Sequence, residues 1–184
     1  TMPAQLAQRL RAPVVNLGQG ATDQLFQWAN TVRLAAAGIR PRAVVYLWPG
    51  ILRLSELHSD GSVSNWGSWN ASEDVFALSY IARETHLREL LGHYSQSVRQ
   101  MWACPVLEYY AYMYLNGNSG RVLDVVGKQT VLEDYQWPGI RPWGHVIDAA
   151  RDVGPRGNFH PGPETLSGWV DRYLVPDLRA QGIE

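Results

Sequence analysis

This chain of 184 residues has only one cysteine and one lysine, and it contains no long apolar run. The single cysteine, Cys104, excludes a disulfide within the chain, and no Cys/His cluster has the spacing of a zinc site. No apolar run approaches the roughly 20 residues of a membrane-spanning helix. Charged residues are sparse at 18%, and the formal net charge is −1. We therefore expect neither a nucleic acid nor a membrane as partner.

Motifs for cofactors and metals are missing as well. Gly18 and Gly20 lack the third glycine and the later acidic residue of a dinucleotide-binding fingerprint. The chain has no phosphate loop, no paired-carboxylate motif and no basic stripe. Four histidines are scattered, which favours solvated or core side chains over metal ligands: His58, His86, His93 and His145. We expect no cofactor and no bound metal, and the sequence specifies neither a compartment nor an oligomeric state.

Aromatic residues, in contrast, are plentiful, with eight Trp and nine Tyr in a chain that is 46% hydrophobic. This composition is typical of one globular domain with a substantial core. A polar loop rich in Ser, Gly and Asn, at 58–70, carries Trp66 and Trp69. Tryptophans in such a loop suit stacking on sugar rings; covering the edge of the sheet is the alternative role.

Apolar runs and helical patterns alternate along the chain. The runs at 13–17, 43–48, 104–109 and 144–149 predict strands, and the second is nearly all apolar, as expected of a parallel strand covered on both faces. Helical periodicity covers 3–11, 25–36, 72–101 and the chain from Glu164, where Pro176 is expected to kink or end the helix. The alternation predicts an α/β fold, a three-layer α/β/α domain with a mainly parallel sheet.

Two turns are candidates for a functional site. The glycine turn at 18–22 follows the first predicted strand and lets the backbone approach a ligand closely. His160 stands on a short turn just before the last helix. Because parallel strands end at one edge of a sheet, both turns are expected at its carboxyl edge. Glu108, in the third predicted strand, is a further candidate as a cleft carboxylate.

Two segments resemble blocks of the SGNH (GDSL-like) hydrolase superfamily. Residues 14–22 read Val-Val-Asn-Leu-Gly-Gln-Gly-Ala-Thr and, with the helical pattern at 3–10 before them, look like the second block of the family. Residues 151–163 begin with Arg-Asp and end with His-Pro-Gly-Pro, like its last block. The resemblance implies one SGNH-hydrolase-like domain over 1–184, of SGNH/flavodoxin-like fold, without its N-terminal strand.

The chain departs from the family at three points. The nucleophilic serine of the family lies in a Gly-Asp-Ser turn upstream of the second block, and this chain contains no Gly-Asp-Ser. The strand at 43–48 leads into Trp-Pro-Gly-Ile-Leu-Arg instead of a motif with an oxyanion-binding Asn. Gly157 occupies the position three residues before His160, where the family has its Asp.

Carried onto this chain, the resemblance implies a Ser-His-Asp mechanism of ester hydrolysis. His160 would be the general base, and Asp152 would hold its tautomer, with Asp148 as second choice. The Gly20 backbone N–H would donate to the oxyanion, and Arg53 would replace the missing Asn electrostatically.

Three functions are compatible with these sequence features. An ester hydrolase acting on a small-molecule or carbohydrate ester would take its serine from an upstream segment or from Ser55, Ser64 or Ser68. A non-catalytic relative would bind carbohydrate through Trp66 and Trp69. The third alternative is a structural domain of a larger assembly.

Overall fold

The computed structural model describes residues 2–18, 22–49, 54–60, 62–66, 84–110, 139–142 and 163–184. Its helices are α1 (Met2–Leu10), α2 (Gln24–Ala36), α3 (Glu84–Met101), α4 (Pro163–Trp169) and α5 (Val175–Ala180), with a π-helical segment (Val170–Leu174) joining the last two. Its strands are β1 (Val44–Trp48), β2 (Leu54–Leu57), β3 (Val63–Trp66), β4 (Val106–Tyr110) and β5 (Ile140–Pro142). No helix within these ranges is both long enough and apolar enough to span a bilayer.

A parallel sheet of three strands, in the order β1-β4-β5, is the centre of the fold. Val44 pairs with Val106 and Trp48 with Tyr110, so β1 and β4 run together along their whole length. β5 adds to the other side of β4 through Ile140, which lies opposite Glu108. The predicted α/β class and the parallel pairing of 43–48 with 104–109 are confirmed.

Both faces of this sheet pack against helices. One hydrophobic cluster contains Tyr46 and Trp48 of β1, and residues of α2 and α3 pack there. The other contains Tyr109 of β4 together with Leu6 of α1 and the buried side of the C-terminal helix. Successive residues of a strand point to opposite faces, so β1 and β4 each contribute to both clusters. This double burial explains why their sequences are almost continuously apolar.

The prediction of a strand at 13–17 is wrong. These residues have an irregular backbone, and Val15 and Leu17 are 77% and 53% exposed. Val14 alone of the three apolar residues packs against a core cluster. A strand needs a hydrogen-bonded neighbour, and among the described strands none pairs with this run. The run at 144–149 lies outside the described residues.

The expected polar loop at 58–70 is partly a β-hairpin. β2 and β3 pair antiparallel, with Leu54 opposite Trp66 and Leu57 opposite Val63. At the turn, the Ser62 backbone N–H donates to the Asp60 carboxylate (2.8 Å). Hydrogen bonding from the Ser62 side chain, and then from this N–H, lowers the pKa of Asp60. Four-residue strands of mixed polarity are too short to give a clear period-two pattern, so the sequence did not indicate the hairpin.

The C-terminal helix continues through Pro176 instead of ending there. The helix changes to π-helical geometry just before the proline, and the Val175 N–H donates to the Val170 carbonyl five residues back. A proline in a regular α-helix would meet the carbonyl four residues earlier and would leave it without a donor. The wider π turn relieves this conflict. Arg9 of α1 holds the helix from outside through Asp171 and through Ser167 Oγ, 2.7 Å away.

Candidate functional site

Most of the candidate site residues lie outside the described residues. These are His160, Asp152, Gly20, Arg53, Trp69 and, among the serines, Ser68. Trp66 is described as the last residue of β3, with its backbone opposite Leu54. Ser55 and Ser64 are placed in the same hairpin, opposite Asn65 and Glu56 respectively. The roles assigned to these residues therefore stay predictions.

The end of the glycine turn lies at the carboxyl end of β1. Thr22 and Asp23 are buried there, and the Asp23 carboxylate caps α2 by accepting from the Phe26 N–H (2.9 Å). The Gln24 side-chain amide donates to the Pro49 carbonyl, directly after β1, at 2.9 Å. This bond fixes the first turn of α2 beside the edge at which parallel α/β sheets bind ligands. Residues 19–21 of the glycine turn lie outside the described residues, so the placement of the whole turn at this edge stays a prediction.

Glu108 is not a cleft carboxylate, because it is buried between the sheet and α3. Its side chain is 0% exposed. Oε2 accepts from Trp48 Nε1 at 2.7 Å, and Oε1 accepts from Ser95 Oγ at 3.0 Å and from Arg99 Nε. A buried carboxylate with three donors, one of them cationic, is balanced in charge and in hydrogen bonding. The arrangement indicates a structural role.

Arg99 completes this ion pair from the solvent side. Its side chain is 38% exposed, and its guanidinium lies over Gly139, which precedes β5 and has a φ of 79°. A Cβ on Gly139 would come within 2.6 Å of Arg99 Nη2. The left-handed backbone favours glycine at this position, and a Cβ there would also displace the Arg99 guanidinium.

A second buried group of hydrogen-bonded side chains connects α2 with Tyr46 of β1. The Tyr46 hydroxyl accepts from Trp102 Nε1 (2.7 Å) and shares a hydrogen bond with Thr31 Oγ1 (2.6 Å). The Tyr46 ring stacks on Trp48 at 4.9 Å between centroids, which joins this group to the Glu108 group. The apolar pattern of α2 did not reveal it, because Thr31 and Gln24 are buried polar residues on the side facing β1.

On the opposite face of the sheet lies a third group of hydrogen-bonded side chains. The Tyr109 hydroxyl donates to Asp177 Oδ2 at 2.5 Å, and Arg141 Nη1 donates to both carboxylate oxygens of Asp177 at 2.6 and 2.7 Å. Trp169 meets the Tyr109 ring edge-on at 5.0 Å. These contacts join α5 to two strands and serve packing.

Stability is expected to fall in alkali because of the buried tyrosines. Burial, then the bond to Asp177, raises the pKa of Tyr109, and burial also raises the pKa of Tyr46 and Tyr94. The unfolded chain ionises first, near pH 10, so the stabilisation is complete below that pH and is lost as pH rises above it. Urea unfolding between about pH 8 and pH 11.5 should show a decline of up to about 1.4 kcal/mol per pH unit for each tyrosine.

Tyr109→Phe should make this decline shallower while costing about 1 kcal/mol at neutral pH through the lost hydrogen bond. Equal slopes for the variant and the wild type above pH 10 would show that Tyr109 does not contribute.

Comparison of the chain with protein-family models, with curated proteins and with solved structures found no match. In the part of the chain that the structure describes, no group of three or more His, Cys, Asp or Glu side chains could hold a metal ion.

Proposed function

We propose that this chain is an SGNH-type hydrolase-like domain with its site at the carboxyl edge of the parallel sheet. The substrate class is a small-molecule or carbohydrate ester, and the reaction is acyl transfer to a serine followed by hydrolysis. The proposal includes the three-layer α/β/α architecture of the domain. Helices packed on both faces of the sheet support that part.

One observation carries the proposal. The bond between Gln24 and Pro49 holds the start of α2, and with it the end of the glycine turn, at the carboxyl end of β1. An oxyanion-binding N–H from the residues before Thr22 would belong at this edge. Open α/β sheets bind their ligands there because the strand ends and the helix N-termini converge.

The proposed roles are those of a Ser-His-Asp site. His160 takes the proton of the serine Oγ as the new C–O bond forms, and returns it to the leaving alkoxide as the ester C–O bond breaks. Asp152 orients the imidazole, and the Gly20 N–H stabilises the oxyanion with the help of Arg53. A water molecule then repeats the sequence to release the acid.

We expect the 184-residue chain itself to hydrolyse simple acyl esters weakly. It has no Gly-Asp-Ser and no oxyanion-binding Asn, and loss of a single oxyanion donor costs about a hundred- to a thousand-fold in rate. The test is turnover of p-nitrophenyl acetate by the chain and by a His160→Ala variant, combined with a fluorophosphonate probe for reactive serine.

Three outcomes decide the matter. Weak turnover that still falls on His160→Ala supports the proposed site. Robust turnover with labelling of one serine supports the class and identifies the nucleophile, with Ser55, Ser64 and Ser68 the first to check. Turnover that is unchanged by His160→Ala contradicts the proposal. If an acetylated oligosaccharide then binds without turnover and quenches tryptophan fluorescence, the carbohydrate-binding alternative takes its place.

A further inference from the structure

The outer edge of β1 is hydrogen-bonded by side chains. Among the described strands β1 pairs only with β4, so it is the last of the described strands on its side of the sheet. A strand at the edge of a sheet offers a row of backbone groups to which another strand can add.

The pairing with β4 shows which backbone groups face outward. The Val44 N–H donates to the Pro105 carbonyl at 3.0 Å, so Val44 directs its backbone groups toward β4. Alternate residues of a strand in a parallel ladder direct theirs to opposite sides. The carbonyls of Leu47 and Pro49 therefore face away from β4, on the outer edge.

Two glutamines of α2 bind these outer carbonyls. Gln27 Nε2 donates to the Leu47 carbonyl at 2.8 Å, and Gln24 Nε2 donates to the Pro49 carbonyl at 2.9 Å. The glutamines are three residues apart on one side of the helix, a rise of about 4.5 Å. The two carbonyls are two residues apart along the chain, about 6.6 Å, which the flexible side chains can span. Gln24 is only 7% exposed.

The edge that they cover is a hazard for self-association. β1 contains no charged residue, no proline and no glycine, the composition of segments that pair with copies of themselves. Natural sheets protect such edges with charges, prolines, bulges or covering elements. Here the nearest protection is the pair of amides from α2.

We propose that Gln24 and Gln27 form an edge cap, a pair of side chains that occupies the outward carbonyls of Leu47 and Pro49 at the carboxyl end of β1 and prevents β1 of a second copy from pairing there. The inference uses the Gln24–Pro49 bond that also supports the proposed function, but it does not depend on ester hydrolysis. It assigns a role to two polar residues of α2 that face the sheet, on the side where a helix usually carries apolar residues.

The test is a double variant, Gln24→Met and Gln27→Met, followed by sedimentation velocity over a range of concentrations. Methionine keeps the length and the helix propensity of glutamine but cannot donate. We expect the variant to associate at concentrations about tenfold lower than the wild type for each carbonyl uncovered, since one hydrogen bond regained between copies is worth about that factor.

Two controls separate the edge cap from a general loss of stability. Gln8→Met replaces an exposed glutamine of α1, and Leu178→Ala destabilises the cluster on the opposite face of the sheet while keeping both glutamines of α2. Association by the double variant alone supports the proposal. No change in size, or equal association by Leu178→Ala, overturns it. If circular dichroism shows that the double variant is unfolded, Gln27→Met alone decides by the same criteria.

Discussion

Glu108→Ala is expected to lower the free energy of unfolding by about 2 to 6 kcal/mol, the cost of two buried donors left unpaired at about 1 to 3 kcal/mol each. The carboxylate is the common acceptor for Trp48 Nε1, Ser95 Oγ and Arg99 Nε. Alanine leaves the first two donors buried without an acceptor and leaves a cavity beside the stacked Tyr46 and Trp48 rings. The measurement is urea unfolding followed by tryptophan fluorescence.

Glu108→Gln refines this expectation. The amide keeps the shape and one acceptor oxygen but loses the charge that pairs with Arg99. Glu108→Gln should therefore lower the free energy of unfolding, but by less than Glu108→Ala does. Glu89→Ala, at an exposed position of α3, is the matched control and should change stability by no more than about 0.5 kcal/mol. If Glu108→Ala costs as little as Glu89→Ala, the buried network does not support the fold.

Leu174→Ala should cost about 2 to 5 kcal/mol through the cavity that it opens on the other face of the sheet. Leu174 is 0% exposed and belongs to the cluster that also holds Leu6 and Tyr109. The same unfolding measurement applies, with Arg172→Ala as an exposed control from the same π-helical segment.

The two faces also predict how these changes combine. Glu108 and Leu174 belong to groups on opposite sides of the sheet, and sites without shared partners usually add within about 0.5 kcal/mol. Glu108→Gln combined with Leu174→Val, two milder changes, should therefore be additive. A coupling well above that margin would indicate that the sheet transmits strain between its faces.

The parallel pair at the centre could be predicted from the sequence, and the edge beyond it could not. The run at 43–48 is apolar throughout, and the run at 104–109 is apolar apart from Glu108, a pattern typical of a strand covered on both faces. The run at 13–17 contains equally apolar residues, but Val15 and Leu17 are exposed. Composition reports what a segment would bury, whereas pairing depends on a neighbour far along the chain.

The polar interior was missed for a related reason. Gln24, Gln27 and Thr31 lie on the side of α2 that faces β1, where a helical pattern would place apolar residues. They are accommodated because carbonyls at the edge of β1 and the Tyr46 hydroxyl provide partners about 15 to 25 positions away, as in the bonds to Gln24 and Thr31. The sequence shows Glu108 as a carboxylate in a strand, but its donors lie 9 to 60 positions away and do not follow from its neighbours in sequence.

The π turn before Pro176 also constrains how this helix can change over evolution. The buried residues Thr165, Trp169, Leu174 and Leu178 are spaced by four, five and four positions, so one turn contains an additional residue. Removing that residue would restore a regular α-helix but would press Pro176 against the carbonyl of the preceding turn. The proline therefore depends on the additional residue, and a lineage could acquire the proline without penalty only while the longer turn is present.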